Sequence, residues 1–185
     1  MADFYQLLRQ AGTSILSQAK QAVQWFGDQV KNISKDPNKV FRRDSFPKIG
    51  SMYLFVYDPK LKATLPFYDA YPLVIPVEYY SDGFLGLNLH YLPPMARASL
   101  LDALTALANN NKYDDTTKLN ISYKMLKSYS IRFGGYQNCI KRYLFSNVRS
   151  SFNYVSPVDW DKVVMMPLQK WVVNSDKKYA SSPPY

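Results

Sequence analysis

The stretch Leu73-Val-Ile-Pro-Val-Glu-Tyr-Tyr-Ser-Asp-Gly-Phe-Leu-Gly-Leu-Asn-Leu-His90 decides the fold. Asp82-Gly83 is tight-turn chemistry, because aspartate and glycine accept the backbone angles that a short hairpin loop demands. After the turn, Leu85, Leu87 and Leu89 alternate with Gly86, Asn88 and His90, the period of a strand resting one face on a core. Before it, Leu73 to Tyr79 is a second strand. Pro72 and Pro76 push that strand toward a sheet edge, since proline cannot donate to a ladder. Upstream, Ser51 to Tyr57 sets Met52, Leu54 and Val56 against Tyr53, Phe55 and Tyr57. Both sets are apolar or aromatic, so this strand belongs in the middle of a sheet. Asp58-Pro59-Lys60 ends it with a turn. The outcome is a small antiparallel sheet.

Helices follow the sheet. Pro93-Pro94 opens one that runs through Met95, Leu101, Leu104 and Leu107 to Asn109, with proline suited to the first turn. Ser122 to Ser128 reads as a short helix, although Leu119, Ile121, Tyr123 and Met125 also alternate as in a strand. A helix over about 136–149 would put Ile140, Leu144 and Val148 inward. Ser156-Pro157 can open a last short helix, and Val163 to Met166 reads as extended.

Ahead of the sheet, Asp3 to about Ser34 reads as one long amphipathic helix with Asp3 as N-cap. Phe4, Leu8, Ala11, Ile15, Ala19, Ala22, Phe26, Val30 and Ile33 follow steps of four, three and four, a period of about 3.67 residues per turn. A straight helix would carry that stripe for about 45 Å. Gly27 marks a place to bend. The seam is narrow and glutamines cover the other faces, so Phe4, Leu8, Ile15, Phe26, Val30 and Ile33 are candidates for docking on another subunit, ahead of packing on the chain's own domain. The fold class is therefore α+β. Residues 1–34 form an N-terminal docking helix, 35–48 a basic linker, 49–175 a globular domain and 176–185 a loose tail.

Composition limits the chemistry. One cysteine, Cys139, and one histidine, His90, build neither a disulfide framework nor a Cys/His zinc site. No apolar run is long enough to span a membrane, and no secretory pattern opens the chain, which points to a cytosol-like compartment or a particle assembled there. Asp159 and Asp161 are the nearest approach to a nuclease carboxylate pair, but residues two apart on a helix diverge. Glu78 and Asp82 flank a turn with nothing to complete a site, and no glycine-rich phosphate loop is present. The sequence therefore predicts no enzyme, no cofactor and no metal.

Charge and aromatics point to binding instead. The formal net charge is +9. Lys118, Lys124, Lys127, Arg132, Lys141, Arg142 and Arg149 occupy 118–149 with no acidic residue among them, and Arg42 and Arg43 lie in the linker. Such a field steers an anionic partner to one side of the molecule. On a helix over 136–149, Asn138, Arg142, Phe145 and Arg149 would share a stripe beside Lys141. Arginine fits phosphate bidentately, and an aromatic ring between two arginines can stack on a base at a frayed duplex end. The 16 tyrosines suit interfaces, because tyrosine offers rigid area with a polar tip.

Ser51-Met-Tyr-Leu-Phe-Val-Tyr-Asp-Pro-Lys60, Leu65-Pro-Phe-Tyr-Asp69, Tyr71-Pro-Leu-Val-Ile-Pro76, Gly83-Phe-Leu-Gly-Leu-Asn-Leu-His-Tyr-Leu-Pro93 and Cys139-Ile-Lys-Arg-Tyr-Leu144 together carry a resemblance. Over about residues 50–150 the chain resembles virion proteins of T-even-type contractile-tailed phages and their marine relatives, most of all the DNA end-protector family. The resemblance implies a non-enzymatic virion protein near the head–tail junction, assembled in the host cytoplasm. It would bind the end of the packaged double-stranded DNA and shield it from host exonuclease. The family offers no catalytic residues to transfer. A structural neck, tail or baseplate connector, docking through its N-terminal helix on other virion subunits, would share the same composition.

Overall fold

The computed structural model describes residues 3–34, 46–60, 67–132, 139–167 and 172–173. The helices are α1 (Phe4–Ala11), α2 (Ile15–Ser34), α3 (Pro94–Ala108), α4 (Asp115–Arg132) and α5 (Trp160–Met165). The strands are β1 (Met52–Leu54), β2 (Phe67–Tyr68), β3 (Leu73–Tyr80), β4 (Gly83–Asn88), β5 (Ile140–Leu144), β6 (Asn153–Val155) and β7 (Val172–Val173). Five strands form one sheet in the order β5-β4-β3-β1-β6, and β2 pairs with β7 apart from it. Every pairing is antiparallel. The chain is α+β.

The hairpin forms where the turn chemistry places it, with Tyr80 opposite Gly83 and Ser81-Asp82 between them. The position of β3 corrects an expectation: it is the central strand and not an edge. β1 is only three residues long and pairs with Leu73 and Val74, so Pro76 has no β1 residue opposite it. On the other side Pro76 faces Gly86, and the register shifts between Pro76 and Glu78. A bulge there absorbs the missing donor.

Each face of the sheet packs differently. Met52, Leu54, Leu73, Ile75 and Leu87 meet Phe26, Leu100, Leu101, Leu126 and Val163 in the main core, between sheet and helices. Phe55, Val74, Phe84, Tyr143 and Val148 form a second, aromatic cluster with Tyr53, Tyr57, Phe145 and Phe152 around it. Among the described residues, no helix contributes to that cluster.

The N-terminal segment differs from expectation in two ways. It is not one straight helix, because Gly12 takes φ +41° and ψ −122°, angles that favour glycine, and a 3-10 turn at Gly12–Ser14 joins α1 to α2. Gly27, by contrast, lies within α2. The seam is also not left for a partner. Phe4, Leu8, Phe26 and Ile33 are buried in the chain's own core with Val30 packed against it, and only Ile15 of the six candidates is exposed. α1 lies on α3 and α5, and α2 lies on α5. Burying each large side chain in its own core stabilises the fold by about 1.5–3 kcal/mol, which decides the choice.

Polar contacts fix α1 further. Asp3 accepts from Gln6 N at 3.0 Å, while Asp102 of α3 accepts from Phe4 N at 2.7 Å and Tyr5 N at 3.0 Å. Three of the orphan N–H groups at the start of α1 are thereby satisfied.

Three further elements depart from the sequence reading. α4 is much longer than Ser122–Ser128, beginning where the Asp114 side chain accepts from Thr117 N at 2.7 Å. Val163 to Met166 is not extended; Val163 to Met165 close α5. Most consequentially, Ile140 to Leu144 is strand β5 and Phe145–Asn147 a 3-10 turn, so no helix joins Arg142 to Arg149. The apolar residues at 140, 144 and 148 fit a helical period, but β5 finds five partners along β4, from Leu87 opposite Ile140 to Gly83 opposite Leu144.

Candidate nucleic-acid interface

The aromatic face is built by strand alternation. Tyr79, Phe84 and Tyr143 are cross-strand partners in sequence, as are Val74, Tyr53 and Tyr154. Phe84 stacks on Tyr143 with ring centres 5.4 Å apart, and Phe55 meets Tyr143 edge-on at 5.4 Å. Gly86 makes room for this packing, since a Cβ there would stand 2.2 Å from Val74 Cγ1. Burial pushes the Tyr143 phenol well above its ordinary range, and the nearby Asp69 charge adds to the effect.

The end of the basic linker lies across this face. Tyr79 donates its hydroxyl hydrogen to Pro47 O at 2.6 Å, and Lys48 N donates to the Tyr53 hydroxyl at 3.0 Å. Phe46 packs edge-on against Phe145 at 5.0 Å and Tyr79 at 6.4 Å. Gly50, at φ +82°, then turns the chain so closely past α4 that a Cβ there would lie 3.2 Å from Ser122 Cβ. Gly50, two residues past Lys48, thus brings the chain against α4 at Ser122.

The structure separates the predicted basic stripe. Arg142 projects from the opposite face of β5, its guanidinium 4.6 Å from the Tyr80 ring centre and hydrogen-bonded to Asp82. Arg149 donates to Ser146 O at 2.7 Å and stands 3.8 Å from Asp58. Phe145 belongs to the aromatic cluster. Lys141, opposite Gly86, is half-buried, and desolvation lowers its ammonium pKa, offset in part by Cys139. Lys124 and Lys127 are exposed on α4, turned away from buried Leu126, with Lys127 over the Tyr123 ring at 5.7 Å. Arg42, Arg43, Asn138 and the Arg132 side chain lie outside the described residues.

Residues 1–183 match the family described as the phage T4 terminal DNA protecting protein. The chain belongs to that family. No curated protein and no solved structure matches it. Membership makes this a phage protein of a kind that protects DNA ends and is not known for catalysis, with phage DNA as the implied partner. Among its described residues, no helix is long and apolar enough to cross a membrane.

In this family member the lone histidine sits in a buried network behind the aromatic face. His90 Nδ1 is 3.0 Å from Asp69 Oδ2, and Asn88 Nδ2 donates to the same oxygen at 3.0 Å and to the Tyr143 hydroxyl at 3.1 Å. Burial alone would raise the Asp69 pKa. His90, Asn88 and the Tyr71 N–H, which donates at 3.0 Å, hold it below the ordinary value instead. The network ties the turn at Asp69 to β4 and β5. Asp159 pairs with Lys162 at 2.7 Å.

Arg97 is the residue that sequence reasoning missed. It is fully buried and donates to the carbonyls of Leu92 at 2.6 Å, Val163 at 2.8 Å and Met166 at 2.5 Å, with longer contacts to Val164 and Pro167. A cation therefore satisfies the carbonyls at the C-terminal end of α5. A signal was present, since Arg97 is the sole charge in the apolar run Leu92 to Leu101.

Proposed function

We propose that this chain binds the end of the packaged double-stranded DNA near the head–tail junction of a contractile-tailed phage particle, assembled in the host cytoplasm. Bound there, it denies host exonuclease its starting point and performs no catalysis itself. The observation carrying this reading is the family match across residues 1–183. The geometry supports it: exposed Lys124 and Lys127 lie on the helix that Gly50 passes, two residues after Lys48, and Phe46 to Lys48 rest on an aromatic face. Arg142 and Arg149 contribute less than their sequence positions imply, because each stands beside a carboxylate.

The test uses purified protein with a linear duplex, a covalently closed circle of the same sequence, and an exonuclease that degrades duplexes from their ends. The linear form should be bound more tightly and survive digestion, with affinity falling steeply as salt rises. Lys124→Ala with Lys127→Ala should weaken binding to both forms alike and reduce the salt slope by up to about 2. Equal binding of circle and line would refute end protection.

A second reading, docking on a neck, tail or baseplate subunit, keeps Tyr5 at the start of α1 and Ile15 and Leu16 at the start of α2, all exposed. Because residues 4–33 share the main core, deleting 1–34 would test folding more than docking. Leu16→Asp is the cleaner probe: loss of the protein from particles, with DNA binding intact, would favour this reading.

A further inference from the structure

We infer that the terminal base pair of the duplex stacks on the Phe46 ring, with Tyr79 standing edge-on beside it; this rests on the end-binding reading above. An interior base pair shows the protein only its edges, whereas a terminal pair also shows one flat π-face rimmed by phosphate. A surface that selects ends therefore needs exposed rings on a firm backing with positive charge nearby.

Those conditions meet at Phe46 and Tyr79. Phe46 and Tyr79 keep 47% and 44% of their surface exposed, high values for large aromatic residues in contact with each other. Their backing is fixed: the Tyr79 hydroxyl is anchored on Pro47 O, and Phe46 leans on Phe145, which packs against Phe84 at 5.9 Å. Rings held this way lose little freedom when a base settles on them. Lys48 is exposed two residues from Phe46, and Lys141 shares the same sheet face. Asp82 is bonded to Arg142 and Asp58 faces Arg149, while Glu78 falls on the other side of β3 from Tyr79 by strand alternation, so these acids oppose a phosphate weakly. The charge beside the rings is thus complementary to a nucleic-acid rim. The stack would also cover the terminus that an exonuclease must grip.

The experiment measures binding of the full chain to a blunt duplex carrying 2-aminopurine at the terminal or at an internal position, with a closed circle as reference. The terminal probe should change fluorescence on binding and the internal one should not. Phe46→Ala should cost roughly tenfold or more in affinity for the open end, leave affinity for the circle unchanged, and be rescued by Phe46→Trp. If thermal melting shows Phe46→Ala unfolded, Phe46→Leu, which keeps apolar bulk without a ring, is read instead. Stacking is overturned while end protection stands if the wild type prefers ends and the ring-less variants keep that preference. It is also overturned if single strands compete as well as blunt ends. If the wild type shows no preference for ends, both readings fall.

Discussion

Replacing Arg97 by methionine removes a buried cation and keeps most of its volume. Three short hydrogen bonds disappear, to Leu92, Val163 and Met166 carbonyls at 2.6, 2.8 and 2.5 Å. Hydrogen bonds to a charged group contribute about 1.5–3 kcal/mol each, so the gross loss is roughly 4.5–9 kcal/mol. Against this, a guanidinium no longer has to be desolvated, which returns several kcal/mol. Because the carbonyls stay buried at the end of a helix and methionine offers them no donor, the net loss should be about 3–5 kcal/mol. For a chain of this size that lowers the melting temperature by roughly 6–20 °C. Arg97→Lys should fall between, since an ammonium lacks the planar fork that reaches separate carbonyls. Urea unfolding followed by circular dichroism, with thermal melts alongside, measures both. A loss below about 1 kcal/mol for Arg97→Met would show that the α5 carbonyls do not depend on this residue.

Asp69 makes stability fall in acid: its folded-state pKa lies below the ordinary 3.8, so its contribution is complete above that value and is lost as pH drops through the lowered one. Asp69→Asn should therefore flatten the acid limb of the stability–pH curve, and an unchanged limb by urea titration would count against the network. Gly86→Ala should destabilise the sheet by about 2 kcal/mol, read as a lower urea midpoint, because the new Cβ would meet Val74 Cγ1 at 2.2 Å. The Cys139 thiol is buried and pushed up to about 11, so it should resist iodoacetamide at neutral pH in the native protein and react once urea unfolds it. Arg142→Ala should change stability by under about 1 kcal/mol in the same titration, as expected of an exposed pair.

The sequence was most readable where local chemistry leaves one option. Ser81-Asp82-Gly83 makes its hairpin, Pro94 starts α3, and Asp3 caps α1. It was least readable where a distant partner decides. Ile140 to Leu144 suits a helix by spacing and a strand by alternation, and only β4, more than fifty residues earlier, makes it a strand. With that choice the proposed Arg142–Phe145–Arg149 stripe dissolved. The edge position expected from Pro76 failed for a similar reason, because the short reach of β1 and a bulge accommodate the proline. Basic and aromatic character could be counted from the sequence. That Phe46 to Lys48 lie across the sheet could not, since it depends on the hydroxyls of Tyr53 and Tyr79.

The dependence of α1 and α2 on α3 and α5 also sets an order of events during synthesis. The helices that leave the ribosome first cannot complete the burial of Phe4, Leu8 and Phe26 until Trp160 to Met165 has been made. At about 5–20 residues per second, the roughly 130 residues between α2 and the end of α5 take on the order of 6–25 s to translate. For much of that interval α1 has at most α3 to rest on, and α2 lacks α5 altogether. Folding of this chain is therefore gated from its far end, and a ribosome stalled before α5 would hold a sticky, unfinished product.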